Sequence, residues 1–451
     1  MITERKKEGV LLFFGDILFF IAALWVTLAL RYFEVPGGNV FYAHLTPFIF
    51  LFIAWIFIFF IAGLYDKHTV IFKKKLPSII LNAQIANIVI AALFFFLIPY
   101  FGITPKTNLF VYLFISFIFI VFWRLYLFPA LENKKKQNAL LVACGKEMLE
   151  LKEEINNNKR YNFHFTSFLD VDTVSGEKLK NHISEQIREN NISIIVADTS
   201  SEKIASAMPL LYYLSFIQSR FRFLDFQKTY ENIFDRVPLS LVKYNWFLNN
   251  VSMIPKITHD IIRRIFDIIF SIILGLLSLI IYPFVIIAIK LGNKGNVFIK
   301  QERVGRDNKT INIIKFRSMK RDDKGEELAS GNNEITRVGN ILRKTRIDEL
   351  PQLWNVLKGD LSFIGPRPEV PHLAELYEKE IPYYNFRHFI QPGLSGWAQI
   401  HHIKPPKFGV GYEETKEKLS YDIYYIKNRS LLLDLYIGLK TIKTLFSRTG
   451  L

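Results

Sequence analysis

Four apolar stretches, approximately residues 10 to 33, 44 to 65, 76 to 101 and 107 to 129, occupy the first third of this chain. Each is long enough to cross bilayer hydrocarbon as a helix, which takes about 20 residues. The first is too long for a signal-peptide core and lacks a small-residue cleavage site after it, so it reads as a retained helix. Lys/Arg bias then gives an orientation. Arg5, Lys6 and Lys7 precede the first stretch, Lys67 and Lys73, Lys74, Lys75 lie between the second and third, and Lys134, Lys135, Lys136 follow the fourth. The opposite loops hold only Arg31 and Lys106, so both termini of the bundle are expected on the cytosolic side. Asp16 in the first stretch and Arg124 in the fourth sit at the same depth. An unpaired charge there is costly, so they either pair or snorkel separately to the headgroups.

A fifth apolar stretch, Ile265 to Ile289, is also long enough to span, but its flanks disagree with that reading. Arg263 and Arg264 stand on one side and Lys290, Lys294 and Lys300 on the other, which places both ends in the cytosol. Pro283 removes a backbone donor within the stretch. A re-entrant helix-break-helix that dips into one leaflet and returns satisfies both observations, provided protein shields the break.

Composition agrees: half the residues are hydrophobic, 42 of them Phe, which is too apolar for an ordinary soluble protein. The net charge of +16 favours anionic partners, with cytoplasmic-loop bias contributing part of it. The single cysteine, Cys144, excludes an intrachain disulfide and a Cys-based zinc site, consistent with a reducing cytosol.

Between residues 134 and 256 short apolar runs (139 to 143, 163 to 169, 192 to 197, 221 to 226) alternate with charged helical stretches, the rhythm of a Rossmann-like parallel sheet. The first turn, Ala143-Cys144-Gly145-Lys146-Glu147, carries one glycine where a dinucleotide fingerprint needs three. An accessory or dimerisation role, with a homodimer among the expected forms, therefore fits this segment better than ligand binding.

From Asn296 onward, polar residues gather in turn-like strings that each have an ordinary reading. Asp348 and Glu349 suit a helix start, with Pro351 just after. Adjacent carboxylates at such a junction also share a hard cation, and a carboxylate attacks phosphorus to form an acyl phosphate. Arg367 lies between Pro366 and Pro368, which restrict the backbone and pre-position a guanidinium suited to phosphate oxygens. His401 and His402 lack partners at metal spacing and read as structural or surface residues.

The strings Asp348-Glu349-Leu350-Pro351-Gln352-Leu353, Gly365-Pro366-Arg367-Pro368 and Pro392-Gly393-Leu394-Ser395-Gly396-Trp397-Ala398-Gln399 resemble, in this order, those of the bacterial sugar transferase family, the large monotopic phosphoglycosyl transferases. The resemblance implies a membrane α plus α/β architecture: four transmembrane helices (1–133), a Rossmann-like accessory domain (134–256), a re-entrant membrane helix (257–295) and a small α/β catalytic domain (296–451). It matches Arg263, Arg264 and Asp267 to the basic entry of the re-entrant helix; Tyr282 before Pro283 departs from members that carry a small residue there. It also implies transfer of a sugar-1-phosphate from a UDP-sugar to polyprenyl (undecaprenyl) phosphate with release of UMP, through a covalent intermediate on Asp348. Asp348 and Glu349 would hold Mg²⁺, and Arg367, Arg303, Lys315 and Arg317 would bind phosphate or substrate. The implied partners are the UDP-sugar, the lipid phosphate and a bacterial inner membrane, with no nucleic acid and with the catalytic domain facing the cytosol.

Two rivals remain. A membrane-anchored NAD-dependent nucleotide-sugar dehydratase needs the missing glycine fingerprint and a Tyr-x-x-x-Lys pair, which Tyr412 and Lys416 match in spacing alone. A four-helix transporter needs polar residues converging at mid-bilayer, and only Asp16 and Arg124 qualify.

Overall fold

Apolar runs too long for a soluble core become long helices. The computed structural model describes residues 2–65, 76–98, 106–131, 136–158, 161–174, 176–217, 221–251, 256–292, 295–319, 335–401 and 411–447. The loop lysines Lys67, Lys73, Lys74, Lys75, Lys134, Lys135 and Lys294, with His402, lie outside these residues. The chain divides into two compact units, residues 1–136 with 158–162, and residues 137–157 with 163–451.

The first unit holds α1 (Ile2–Tyr32), α2 (Gly38–Ile61), α3 (Leu76–Leu97), α4 (Lys106–Phe122) and, after one π-helical turn at Trp123–Leu127, α5 (Phe128–Leu131). Four segments here, Gly9–Tyr32, Gly38–Ile61, Leu76–Leu97 and Leu109–Ala130, are long and apolar enough to cross a membrane. The second begins earlier than the apolar run suggested, directly after Pro36-Gly37, and stops before Gly63, whose φ of +78° ends it. Its interior is aromatic: Phe20, Phe48, Phe52, Trp55, Phe59 and Tyr112 pack together.

Asp16 and Arg124 are paired rather than snorkelling, since both side chains are almost wholly buried. Arg124 Nε donates to Asp16 Oδ1 at 3.1 Å, its Nη2 pairs with Asp16 Oδ2, and its Nη1 donates to the Leu64 carbonyl at 2.6 Å. Tyr65 adds an O–H···O bond to Asp16 at 2.7 Å. The Trp123 indole lies where any side chain at residue 15 would collide with it, so Gly15 lets α1 approach the π-helical turn that carries Arg124. Local unwinding of this kind often marks a functional position.

In the second unit, β1 (Gln137–Ala143), α6 (Gly145–Asn157), β2 (Phe163–Asp170), α7 (Gly176–Glu189), β3 (Ile194–Ala197), α8 (Met208–Tyr212), β4 (Arg222–Asp225) and α9 (Phe226–Phe234) follow the expected alternation. All pairings are parallel, in the order β2-β1-β3-β4. Gly145, at φ +79°, opens α6 as a dinucleotide fold would. Glu147 lies in the first turn of that helix. Its carboxylate is buried and accepts from the Ser240 hydroxyl at 2.5 Å and the Ser240 N–H at 3.3 Å.

After the short α10 (Tyr244–Asn250) comes α11 (Ile257–Gly292), a fifth element long and apolar enough for a membrane. The expected helix-break-helix is a single helical element here: Pro283 lies inside it with helix on both sides. A proline removes one i→i−4 bond and kinks a helix without needing to end it.

The rest is α/β. The hairpin β5 (Phe298–Val304)–β6 (Thr310–Phe316) is antiparallel, and β7 (Ser362–Ile364) pairs in parallel with β8 (Gly393–Ser395). Around them lie α12 (Arg337–Lys344), α13 (Leu353–Lys358), α14 (Pro371–Glu380), α15 (Trp397–His401), α16 (Tyr412–Asn428) and α17 (Leu431–Ser447).

Because removing one partner of a buried pair leaves an uncompensated charge, Asp16→Ala is expected to destabilise the bundle by about 3–5 kcal/mol, whereas Asp16→Leu with Arg124→Met costs much less. Thermal unfolding in detergent checks the ordering; equal losses in the two variants contradict it.

Candidate active site

Asp348 and Glu349 lie on a short 3-10 turn, Ile347–Gln352, entered through Arg346 in the left-handed region (φ +54°). In a 3-10 turn residues three apart share a face. Ile347 and Leu350 accordingly face one way, against Phe316, Leu342, Val285 and Ile289, the last two on α11. The carboxylates between them are thereby turned toward the cations of β6 and the Gly-Pro-Arg-Pro loop. Asn355 on α13 fixes β6 alongside: it accepts from the Ile314 N–H at 3.0 Å and donates to the Asn312 carbonyl at 2.7 Å. Lys315 is the next residue along that strand.

The two carboxyls are held differently. Glu349 Oε1 accepts from Arg367 Nη2 at 2.8 Å, and Arg346 Nη1 lies 3.4 Å from Oε2. Burial pushes the Glu349 acid up, but Arg367, Lys315 and Arg346 outweigh it and hold the group at about 2. Asp348 forms no hydrogen bond with the described residues, and burial together with the Glu349 charge raises it to about 6, against the pull of Lys315, Arg343 and Arg346. Lys315 is lowered to about 8 by burial and by Arg367, with Glu349 working the other way. One acid is thus neutralised by arginine, and its neighbour is left with free oxygens beside cations. That arrangement suits a nucleophile facing a diphosphate, because the surrounding charges are already in place when negative charge arrives.

Of the other expected binding residues, Arg303 sits one step back, donating to Gln301 Oε1 at 3.1 Å and acting on Lys315 and on Glu369. The Arg317 guanidinium lies against Gly295, where any Cβ would collide with it. Arg343 and Arg346 act on Asp348 instead. They were missed because nothing in a basic helix end separates a site residue from a solvated one.

Arg263, Arg264 and Asp267 form a clamp rather than a reaction centre. Arg263 Nε donates to Ser362 Oγ at 2.8 Å, and its Nη2 bonds the Ile364 carbonyl. Arg264 caps α13 by donating to the Val356 and Leu357 carbonyls, both at 2.6 Å, just before Gly359 at φ +99°. Asp267 accepts from Ser362 Oγ at 3.1 Å and the Phe363 N–H at 3.0 Å. Farther along α11, Tyr282 packs edge-on against Phe316, with ring centroids 4.9 Å apart, so the departure at this position docks the helix on the hairpin.

The strings around Gly365 and Gly393 hold each other. Gly365 N–H donates to the Ser395 carbonyl at 2.8 Å and Gly393 N–H to the Pro366 carbonyl at 2.9 Å, and a Cβ on Gly393 would strike the Gly365 backbone. His401 stacks on Tyr421 and lies tilted against Trp397, a structural position. Lys416 is bonded to Glu413 at 2.7 Å and Tyr412 packs edge-on against Tyr377, so neither serves the parallel sheet as a dehydratase pair would.

The bacterial sugar transferase family profile matches residues 258–448. A UDP-N-acetylgalactosamine-undecaprenyl-phosphate N-acetylgalactosaminephosphotransferase of Aeromonas hydrophila is 42% identical over 202 residues, 44% of this chain and 47% of that protein. A UDP-glucose:undecaprenyl-phosphate glucose-1-phosphate transferase of Caulobacter vibrioides is 36% identical over 197 residues, 43% of this chain and 73% of its own. An uncharacterized sugar transferase of Bacillus subtilis is 38% identical over 194 residues, which cover 42% of this chain and 90% of that one. The chain thus spans about half the length of the Aeromonas relative, and the shared part is the last third or more of the chain, which holds the Asp348 turn and the Gly-Pro-Arg-Pro loop.

Gly393→Ala should destabilise the region around the site by about 1–3 kcal/mol, as overpacking does. The unfolding midpoint in detergent measures this, and an unchanged midpoint would mean that the two strands separate easily.

Proposed function

The chain belongs to the bacterial sugar transferase family, and from that premise we propose that it transfers a sugar-1-phosphate from a UDP-sugar to polyprenyl phosphate, of the undecaprenyl kind, releasing UMP. The observation that carries the reading is Asp348: a carboxylate free of hydrogen bonds among the described residues, beside a glutamate already engaged by Arg367 and within the field of Lys315. In the first step an Asp348 oxygen attacks the β-phosphorus. The bond from that phosphorus to the bridging oxygen breaks, UMP leaves with the electron pair, and the sugar-phosphate stays on the carboxylate as an acyl phosphate. In the second step an oxygen of the lipid phosphate attacks the same phosphorus and returns Asp348 as a carboxylate. Arg367 and Lys315 hold phosphate oxygens, with Arg303 behind them. Arg317 over Gly295 is the least supported of the proposed binding residues.

Mg²⁺ is part of the proposal. The free oxygens of Asp348, and whatever coordination Glu349 retains beside its arginines, fit an ion that takes one or two carboxylates and completes its shell with substrate phosphates. When bound it would neutralise diphosphate charge.

We place the site at the cytosolic face of a bacterial inner membrane, with α11 re-entrant. Support comes from both arms of α11. Arg263, Arg264 and Asp267 bond to residues 356–364, while Tyr282, Val285 and Ile289 pack on Phe316, Leu342, Ile347 and Leu350. Between the arms, Leu276, Leu277, Leu279 and Ile280 are exposed by 56% or more. A helix crossing about 30 Å of hydrocarbon keeps only one end beside a given water-soluble domain. A bend near Pro283 returns both ends to the same side and sets Asp348 at headgroup level, where a lipid phosphate and a soluble nucleotide meet.

Purified protein given UDP-sugar and Mg²⁺ should release UMP, and Asp348→Asn should abolish release; an active Asn variant removes Asp348 as the nucleophile. The rate should also rise as Asp348 ionises through about pH 6 and fall as Lys315 loses its proton through about pH 8. A profile flat across both limbs contradicts these assignments.

A further inference from the structure

Arg387 was singled out by no motif, yet it is the most deeply buried cation near the site, with its side chain 1% exposed. It lies on the 3-10 turn Tyr384–Phe389. Burying a guanidinium is costly unless its donors are matched. Here Nη1 donates to the Tyr384 hydroxyl at 2.8 Å and approaches Glu369 at 3.4 Å, and Nη2 lies 3.0 Å from Asp422 on α16, while Nε has no partner among the described residues. Lys418, one turn before Asp422, bonds to Glu369 at 2.7 Å. Two cations and two carboxylates form a neutral quartet, so the group adds no net charge for a phosphate, and Arg387 and Asp422 are too enclosed to touch one.

Its outlet toward the site is through the main chain: Nη2 of Arg387 also donates to the Arg367 carbonyl at 2.8 Å. That contact matters because Pro366 and Pro368 supply no backbone N–H. Beyond Gly365, whose N–H donates to the Ser395 carbonyl at 2.8 Å, the loop is held through its acceptors. The Pro366 carbonyl takes the Gly393 N–H at 2.9 Å, the Glu369 carbonyl takes the Val304 N–H at 2.9 Å, and Arg387 takes the carbonyl between them. Arg367 then points at Glu349, 2.8 Å away.

We propose that Arg387, seated by Asp422, is a positioning residue that fixes the main chain of Arg367 and so aims its guanidinium at the substrate diphosphate. This rests on the reading of Arg367 as a phosphate-binding group. Truncating one member alone strands a buried charge, so the test uses Arg387→Met with Asp422→Leu, which removes both charges and leaves Glu369 with Lys418. In the full-length protein in nanodiscs, KM for the UDP-sugar should rise roughly tenfold, the scale of one charge-assisted phosphate contact, with kcat changed by less than about threefold.

The decisive readout is coupling. Adding Arg367→Ala to the double variant should weaken pyrophosphate binding, measured by calorimetry, no further than Arg367→Ala alone does. A core residue acting only on stability gives losses that multiply, and that result overturns the proposal. If the double variant does not fold, Arg387→Lys serves: an ammonium keeps Asp422 but cannot also reach the Arg367 carbonyl, and unchanged pyrophosphate affinity there equally overturns it. Wild-type protein that binds pyrophosphate through Arg367 yet releases no UMP would defeat the transferase reading while leaving the positioning result intact.

Discussion

Glu349 and Arg367 hold each other at 2.8 Å, and the rest of the site is organised by that ion pair. Two neighbouring carboxylates cannot both ionise cheaply in a half-buried turn. The arginine settles the competition by taking Glu349, which stays ionised to about pH 2, while Asp348 keeps a proton up to about 6. Adjacent residues of one type thereby acquire different duties. The 3-10 turn makes the arrangement possible, because its apolar pair, Ile347 and Leu350, rests on α11 and on Phe316 while the acids face the cations.

The same turn is joined to the long apolar helix α11. Arg263, Arg264 and Asp267 fasten the first arm of α11 to α13 and β7, and Tyr282, Val285 and Ile289 pack with the hairpin and the Asp348 turn. Each of these three residues bonds at least one main-chain group of the neighbouring elements, and Arg263 and Asp267 also meet at the Ser362 hydroxyl. Whatever depth the helix takes in a bilayer, the carboxylates take with it. In the other unit the same economy recurs: Asp16 and Arg124 satisfy each other, Tyr65 and a carbonyl, which is what permits two charges inside an apolar bundle.

Much of this was legible in the sequence wherever pattern reflects a local physical demand. The apolar lengths marked the helices, and the short alternating runs marked β1 to β4. Asp348, Glu349 and Arg367 stood out through the resemblance of their strings to those of the family, since adjacent acids or a proline-flanked arginine alone also have an ordinary reading. Arg387, Glu369, Lys418 and Asp422 were invisible, since their importance arises from burial and from contacts across up to 49 positions, Glu369 to Lys418. Arg317, two residues after Lys315, looks equivalent to it in the sequence, and only the fold shows its guanidinium lying against Gly295. Pro283 signalled a break, whereas the helix continues through it, because one lost hydrogen bond is compatible with helical backbone on both sides.

The most direct measurement is mass spectrometry of the protein incubated with UDP-sugar in the absence of lipid acceptor. The account predicts that the peptide containing Asp348 gains the mass of the sugar-phosphate and loses it when polyprenyl phosphate is added. An adduct on another residue, or lipid transfer that proceeds with no adduct at any time, contradicts it.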